Sequence, residues 1–414
     1  MSTTIKVKPL GASPTYNETI VVLESTNIAN TNFKWVIDIY KGSPSDPDYT
    51  LLSSIVVLPN PEGFGIIDFH RHIENHITTD FYPADKDSVI SHIEGAGFKW
   101  SFRVDEQYGS ITGNYQDINI GDTTMYSFNG ALTFQGFRNW DATDYNMNST
   151  SPTTTKFLSD IPRVYNVTLE DRVWINGLQN DIANPPVLGH ITTNNGTYGV
   201  DNQFNATSQN FLVQHKIGPK DLTETTDSSL VALTGSLPAV DSNTTFINYT
   251  QNILPIGTAI SETITLNIVD KCSKHELIRF FYMDKLGSYL PVTFNKVSKT
   301  NITNTRSNYR QNYGSYDATS NVWGYTTYDR GNTTYDLVSS EKVTCTSDWM
   351  NEDEVAMVTS MLNSPIVYIQ DTNGNYIAVT ITTNSYEVKK TVNDKLINYT
   401  LSFEYANTNT NQRG

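Results

Sequence analysis

The sequence has few of the residues that would cross-link the chain or anchor it in a membrane. Its two cysteines, Cys272 and Cys345, are too few for a disulfide-stapled scaffold, and we expect two reduced, buried thiols. No apolar run approaches the roughly 18 residues of a membrane-spanning helix, so no membrane span is predicted. Residues 1–6 also lack the apolar run of a signal peptide, which predicts synthesis and assembly in a cytoplasm.

Positive charge is scarce. The chain has 28 Lys and Arg against 43 Asp and Glu, a formal charge of −15, and no basic cluster. A surface this acidic repels the nucleic-acid backbone, so we expect no direct contact with nucleic acid. There is also no nucleophile elbow, no phosphate-cradling glycine loop and no Cys/His pair in a suitable context. The sequence therefore predicts no catalytic residue, no cofactor and no enzymatic activity.

Neutral polar and aromatic residues fill the place of charge. Charged residues make up 17% of the chain, yet the mean hydropathy is −0.39, because Asn, Thr and Ser supply the polarity. The 24 tyrosines and 17 phenylalanines suit β-sheets and extended protein–protein contacts. This composition predicts a mainly β, multi-domain protein.

Residues 1–108 are predicted to form an N-terminal β-sandwich of the fibronectin type III kind. Short apolar segments at 19–23, 33–40, 51–58 and 98–104 are separated by turn-forming residues, as in such sandwiches. Residues 109–270 are predicted to be a β-rich middle domain with long loops. Its best strands are 163–169 and 262–269, and its topology is left undefined.

Residues 271–414 are predicted to be a C-terminal domain of β-hairpins with one α-helix, 351–363. Asn351 and Glu354 form a capping-box pair, and Val355, Val358 and Leu362, with Met361 beside them, recur at the spacing of one buried stripe. Two hairpins should follow, one around Asn373-Gly374 and one around Asn393-Asp394. In the last strand, residues 396–405, polar and apolar residues alternate, which predicts one buried face.

One histidine-rich segment invites a metal-site interpretation. His70, His72 and His76 lie near Asp68 and Glu74, in a short helix or bulged segment; on a helix His72 and His76 would share one face. The metalloprotease pattern requires a Glu directly after the first histidine, and this segment has none there. A solvated or interface-facing histidine surface is the favoured interpretation, so no metal ligand is predicted.

Two acidic segments resemble catalytic or metal sites but have simpler explanations. Glu352, Asp353 and Glu354 fall in the first turn of the predicted helix, where negative charge stabilises the helix dipole, so a glycosidase carboxylate pair is not needed to explain them. Residues 371–375 resemble part of a calcium loop, but their length and spacing predict a turn between strands.

The segment 301–335 carries six aromatic residues of interest: Tyr309, Tyr313, Tyr316, Trp323, Tyr325 and Tyr328. In an adhesion module these rings would be stacking platforms for a host-surface glycan. In an assembly subunit the segment would be a pair of hairpins in a subunit interface, where Tyr and Trp are enriched. The sequence leaves both alternatives open.

Short patterns in one order along the chain resemble virion structural proteins of tailed bacteriophages, of the crAss-like type. They are Tyr16-Asn17, Phe33-Lys34-Trp35, Leu58-Pro59-Asn60-Pro61, Gly65-Ile66-Ile67-Asp68, Phe157-Leu158-Ser159-Asp160-Ile161-Pro162, Trp174, Phe281-Tyr282-Met283-Asp284-Lys285-Leu286-Gly287, Ser347-Asp348-Trp349, Asn363-Ser364-Pro365-Ile366-Val367-Tyr368 and Asn393-Asp394-Lys395-Leu396-Ile397-Asn398-Tyr399. The resemblance implies a subunit of the tail, neck or baseplate. Its partners would be other virion proteins and copies of itself in a symmetric ring. It identifies no functional residue.

Three functions therefore remain as hypotheses. The preferred one is a structural or adaptor subunit of a virion that acts through protein–protein contacts. The alternative is a host-surface carbohydrate-binding adhesion module. An extracellular hydrolase is third, because it needs a carboxylate pair that the sequence does not supply.

Overall fold

A computed structural model describes residues 3–9, 11–79, 81, 87–93, 95–109, 120–147, 153–179, 187–202, 211–253, 257–269, 274–383 and 397–407. Within them the chain forms 26 strands and four short α-helices. The predicted fold class, mainly β with several sheets, is confirmed.

The chain divides into two compact units. The first comprises Met1–Lys271 and Tyr282–Pro291, and the second comprises Cys272–Phe281 and Val292–Gly414. The boundary predicted between residues 108 and 109 falls inside the first unit, and the three-domain division stays a prediction.

The first unit is built from short strands. They are β1 (Thr3–Val7), β2 (Ala12–Pro14), β3 (Ile20–Ser25), β4 (Lys34–Lys41), β5 (Thr50–Val57), β6 (Phe64–Asp68), β7 (Ile90–His92), β8 (Gly97–Gln107), β9 (Ile120–Phe128), β10 (Val164–Val167), β11 (Trp174–Leu178), β12 (Val187–Thr193), β13 (Gly196–Asn202), β14 (Leu212–Lys216), β15 (Leu230–Thr234), β16 (Phe246–Ile253) and β17 (Ile264–Ile268). Its short helices are α1 (His70–Ile73), α2 (Phe134–Arg138) and α3 (Pro219–Glu224), with 3-10 turns at Glu74–His76 and Ala142–Asp144.

The N-terminal strands form two sheets around one core. One sheet has the order β1-β3-β6 and the other β2-β9-β8-β4-β5. Alternate residues of β4 point inward, so that Trp35 packs with Trp100 of β8 and with Leu23 of β3 in one buried cluster. The predicted β-sandwich is therefore present, and it also uses β9, beyond residue 108. Its likeness to a fibronectin type III domain stays a prediction.

The middle region contains a six-stranded sheet with the order β10-β17-β16-β12-β13-β15. The strands predicted at 163–169 and 262–269 correspond to β10 and β17, which pair in parallel, Val164 opposite Thr265. About a hundred residues separate these partners in sequence, which is why local patterns did not reveal the pairing. Beside this sheet, β11 pairs with β14, and β14 with β7.

A hairpin links the two units along the chain, and the remaining strands belong to the second. The hairpin strands are β18 (Ile278–Met283) and β19 (Tyr289–Phe294); the others are β20 (Lys299–Arg310), β21 (Ser315–Asp317), β22 (Val322–Gly324), β23 (Asn332–Thr346), β24 (Val367–Gln370), β25 (Tyr376–Ile381) and β26 (Thr400–Tyr405). Five of them lie side by side in the order β20-β23-β26-β25-β24.

The predicted helix is α4 (Glu352–Leu362). Asn351 and Glu354 exchange both hydrogen bonds of a capping box, at 2.8 and 3.0 Å. Val355 and Val358 are buried as predicted, but Leu362 is only half-buried, so its assignment to the core was wrong. Met357 and Met361 fill that place, because the buried face is rotated toward them by about one residue.

Of the two predicted C-terminal hairpins, the one around Asn373-Gly374 is confirmed, and the partner strand predicted for the other, 385–389, lies outside the described residues. β24 and β25 pair across the Asn373-Gly374 turn. Gly374 has a φ of +84°, a backbone conformation that glycine adopts without strain. Along β26, Leu401 and Phe403 are buried and the residues between them are not, which is the predicted alternation. The Asn393-Asp394 turn lies outside the described residues, as does Cys272.

Candidate functional site: an exposed two-stranded arm

The most exposed regular structure in the second unit is the ribbon formed by β20 and β23. The two strands pair antiparallel from Lys299 opposite Thr344 to Arg310 opposite Asn332. β26 pairs with β23 only over Lys342–Thr346. From residue 341 outward the ribbon therefore has two strands and no third neighbour within the described residues. We call residues 301–341 the arm.

Both faces of the arm are accessible to solvent. Eleven of the twelve residues of β20 are exposed, and only Ser307 is half-buried. A two-stranded ribbon without a core is marginally stable in water. Polar side chains across the strands compensate in part: Ser339 donates to Asn304 at 2.7 Å and Thr334 donates to Asn308 at 2.6 Å.

The tip of the arm, residues 311–331, contains the short hairpin β21–β22. Trp323 donates its indole N–H to the carbonyl of Tyr313 at 3.2 Å, and the rings of Tyr313 and Tyr325 lie 5.4 Å apart. Gly331 packs so closely that a Cβ there would lie 2.8 Å from the Tyr313 ring. The tip is therefore an ordered aromatic cluster.

Aromatic residues are concentrated on the arm. Six of the 24 tyrosines and one tryptophan lie there, and all seven are exposed: Tyr309, Tyr313, Tyr316, Trp323, Tyr325, Tyr328 and Tyr335. Tyr328 keeps 81% of its surface and Tyr325 keeps 66%. Exposed rings at this density are typical of binding surfaces, since Tyr and Trp contribute most of the energy at interfaces.

The arm also differs from the rest of the chain in charge. Residues 299–346 contain five Lys or Arg and four Asp or Glu, whereas the whole chain has 28 and 43. Arg306, Arg310 and Arg330 are exposed, and none of them forms an ion pair with another described residue. The arm is therefore a nearly neutral to weakly basic surface on a strongly acidic chain.

A groove lies where the arm leaves the sheet. It has a volume of about 380 Å³ and is lined by Ser339, Ser340, Glu341, Ile377, Glu404, Tyr405 and Asn407. We call it the base groove. Burial, together with the negative charges of Glu341 and Glu276, raises the pKa of the Tyr405 hydroxyl. The base groove thus combines an apolar wall, Ile377 and Tyr405, with the carboxylate of Glu341, which forms no ion pair among the described residues.

The histidine-rich segment is not arranged as a metal site. Helix α1 ends at Ile73, and Glu74–His76 continues as a 3-10 turn, which breaks the helical spacing of His72 and His76. The His76 ring instead stacks on Phe98, with ring centres 5.1 Å apart. Among the residues that the structure describes, no three His, Cys, Asp or Glu side chains are grouped to hold a metal ion.

His70 has a local structural role. Its Nδ1 lies 2.8 Å from Oδ2 of Asp68, whose other oxygen accepts from the Thr19 and His70 backbone N–H groups. Burial acts to raise the pKa of Asp68, but these hydrogen bonds and the neighbouring imidazole lower it overall. The cluster therefore fastens the end of β6 to the start of β3.

The other two acidic segments also serve local structure. Glu354 completes the capping box of α4, as described above. Asp371 accepts from the backbone N–H groups of Asn373 and Asn375, each at 2.8 Å, and so shapes the turn between β24 and β25. The side-chain amide of Asn375, which donates to Asp371 at 3.0 Å, and these backbone hydrogen bonds lower the pKa of Asp371. Both segments are explained without a bound ion or a substrate.

The first unit contains a buried histidine network that the sequence did not reveal. His215 is fully buried, and its Nδ1 lies 2.8 Å from the Tyr249 hydroxyl; Gln251 Nε2 lies 2.9 Å from its other ring nitrogen. Burial lowers the pKa of His215 to about 3. Because no substrate could reach this imidazole, we assign it to the core.

A buried acid–base cluster in the same unit is likewise structural. Asp221 accepts from the Arg172 guanidinium at 2.7 Å and from the Trp174 indole at 3.0 Å. Burial raises the pKa of Asp221, and the charge of Arg172 acts in the opposite direction.

In a separate cluster, Asp284 accepts from the backbone N–H groups of Leu286, Ser288 and Asp160. Each acid closes a turn or a helix against a strand.

The described residues include one cysteine, Cys345, which is buried and unbridged; burial raises its pKa to about 12. A thiol of that kind is protonated and unreactive at neutral pH. No helix within the described part of the chain is both long and apolar enough to cross a membrane.

Comparison with known proteins gave no match, either to a protein-family model or to a curated protein. The surfaces of the chain itself must therefore indicate its function, and the arm is the surface with the clearest features of a binding site.

Proposed function

We propose that this chain is a structural or adaptor subunit of a tailed-phage virion, in the tail, neck or baseplate, and that it acts through protein–protein contacts made by the arm. The observation that carries the proposal is the arm itself, a long ribbon exposed on both faces and rich in aromatic residues. The resemblance described above supplies the virion setting.

Ordering the arm costs conformational entropy. Each ordered residue loses roughly 1–2 kcal/mol of backbone entropy, and a ribbon without a core recovers little of that by burial. A partner that covers the arm would supply the missing burial. Large obligate contacts of subunits in assemblies commonly bury more than about 2,000 Å² in total.

The backbone of the arm offers a second means of association. β20 is the last strand of its sheet, and its outer N–H and C=O groups face no other strand within the described residues. Exposed edges of this length pair readily with a strand of another molecule. Arg306 and Arg310 on this strand would discourage unselective pairing and favour a partner of complementary charge.

The proposal makes the chain a non-enzymatic component of the particle, assembled in the host cytoplasm, with other virion proteins and copies of itself as partners. Its acidic charge is consistent with no direct contact with the packaged genome. No cofactor is required, because the arm acts by contact alone.

A shortened arm tests this function. Asn304 and Ser339 are directly paired, so residues 305–338 can be replaced by a two-residue Asn-Gly turn that joins them. We expect this variant to keep the melting midpoint of the full chain but to be absent from purified particles when it replaces the full chain in the phage.

The matched control replaces Tyr16, which is 49% exposed in the first unit, with Ala. It should enter particles as the full chain does. Normal incorporation of the shortened variant, or reproducible hydrolase turnover by the full chain that a single Asp or Glu substitution abolishes, would rule the proposal out.

The exposed tip also favours the alternative, a module that binds a host-surface glycan. Tyr325 and Tyr328 present accessible rings of the kind that stack on sugars. Glycan-array binding that is lost in Tyr325→Ala and Tyr328→Ala, while particle assembly stays normal, would favour adhesion over assembly.

A further inference from the structure

We propose that the partner of the arm is a second copy of this chain, and that the tip of one arm docks in the base groove of its neighbour. The inference rests on the proposed function and names the contact that would join the subunits. Copies joined in this way associate head to tail, because the arm tip and the base groove are different surfaces of one chain.

Charge complementarity identifies the occupant. Arg310 and Arg330 flank the tip. Arg310 is the last residue of β20, and the backbone N–H of Gln311, which follows it, donates to the carbonyl of Gly331, which follows Arg330, at 2.8 Å. The base groove carries the carboxylate of Glu341, which shares its face of the sheet with Ile377 and Tyr405 and forms no ion pair within the described residues. Guanidinium groups pair well with carboxylates in a partly desolvated groove, where forked hydrogen bonds add specificity.

The groove also fits the rest of the tip. Ile377 and Tyr405 form an apolar wall, and Ser339 and Ser340 add hydroxyl groups. β23 extends beyond its last pairing with β26, so the edge of Ser339–Glu341 that would face β26 has no strand beside it in the described structure. An incoming strand could pair with this edge while Tyr313 or Tyr325 packs against the apolar wall.

The contact must form between copies. The groove lies at the base of the arm, and Asn332 is nine positions along β23 from Glu341. At about 3.3 Å per residue the tip is roughly 30 Å from its own groove. Apart from one β-bulge at Ser307 and Asn308, the β20–β23 pairing runs the length of the ribbon and holds the tip away from its own groove, so the tip contacts the groove of another molecule.

The test uses two full-length variants that damage opposite sides of the contact. The arm variant carries Arg310→Glu and Arg330→Glu, and the groove variant carries Glu341→Arg. All three residues are exposed or half-buried, so both variants should keep the circular dichroism and melting midpoint of the natural chain. A surface control carries Arg138→Glu and Glu62→Arg, which alter exposed charges in the first unit.

Sedimentation equilibrium of the natural chain should show self-association that weakens as NaCl rises from about 50 to 500 mM. Each variant alone should associate at least about tenfold more weakly, whereas the surface control should match the natural chain. An equimolar mixture of the two variants should recover association, because the intact arm of the groove variant fits the intact groove of the arm variant and the reversed charges also complement each other.

A natural chain that stays monomeric up to about 1 mM, or two variants that associate like the natural chain, would overturn the inference. The shortened-arm experiment separates this failure from failure of the proposed function. If the natural chain is monomeric but the shortened variant is still excluded from particles, the arm binds a different virion protein and only the self-docking inference is lost.

Discussion

The N-terminal sandwich and the arm both contain paired antiparallel strands, but they use the aromatic side chains of these strands differently. In the sandwich, β4 and β8 bury Trp35 and Trp100 completely. In the arm, Trp323 of β22 is 45% exposed, and Tyr309 of β20 and Tyr335 of β23 are exposed along the ribbon. The same classes of side chain thus stabilise one region and remain available for contacts in the other. Strand pairing is common to both, so the difference lies in whether a second sheet covers the rings.

The largest effect is expected in the sandwich. Trp100→Ala removes a fully buried ring and leaves the Ser127 hydroxyl, now 3.0 Å from the Trp100 indole, without its donor. We expect the free energy of unfolding to fall by about 3–5 kcal/mol, measured by chemical denaturation. A loss below about 1 kcal/mol would mean that the sandwich core is not as tightly packed as its burial indicates.

The second effect concerns α4 and corrects the assignment made from sequence. Met361 is fully buried and Leu362 is half-buried. Met361→Ala should lower the free energy of unfolding by about 2–5 kcal/mol, and Leu362→Ala should cost clearly less. Comparing the two denaturation midpoints checks the rotation of the helix, and a larger loss for Leu362→Ala would contradict it.

The third effect is a pH dependence. The pKa of His215 is about 3 in the folded chain, below its ordinary value of 6.5, so the folded state holds the imidazole neutral while the unfolded state binds a proton below pH 6.5. Its stabilising contribution is therefore complete above pH 6.5 and is lost as the pH falls toward 3. The slope from this group should approach about 1.4 kcal/mol per pH unit.

Denaturation of the natural chain and of His215→Gln between pH 7 and 4 measures this contribution. The substituted chain should show a slope smaller by about one bound proton. Equal slopes would show that His215 does not change its protonation on unfolding.

The smallest effect is expected in the arm. Trp323→Ala exposes no core, so the free energy of unfolding should change by less than about 1 kcal/mol. Particle incorporation or self-association should fall much more. A loss of stability comparable to that of Trp100→Ala would show that the tip forms a core of its own and would remove the contrast between the two regions.

Regular alternation made part of this fold predictable. Phe403 and Leu401 could be assigned to the core because polar residues separate them, and Asn351 could be assigned as a helix cap from Glu354 three residues later. Leu362 was misassigned because Met361 beside it is equally apolar, so that the sequence left the helix rotation open by one residue.

Contacts between residues far apart in the sequence could not be predicted from local patterns. Arg172 and Asp221 lie 49 residues apart in sequence, and Asp160 and Asp284 lie 124 apart, so their hydrogen bonds have no local signature. The candidate site was predictable in part: the aromatic residues of 301–335 were recognised, and the predicted pair of hairpins is present as β20–β23 and β21–β22. The base groove was missed because Glu341 and Tyr405 are brought together only by sheet pairing. Placement of the arm in a subunit interface stays a prediction.

The division of the chain also affects when its first unit can be completed during synthesis. Residues Tyr282–Pro291 belong to the first unit although they follow the first residues of the second. Within them Asp284 accepts from the backbone of Asp160, and Pro291 accepts from the Tyr165 hydroxyl at 2.9 Å. A ribosome that has translated only 271 residues has therefore released an incomplete unit. The last contacts of the first unit therefore form only shortly before the arm, residues 301–341, is translated.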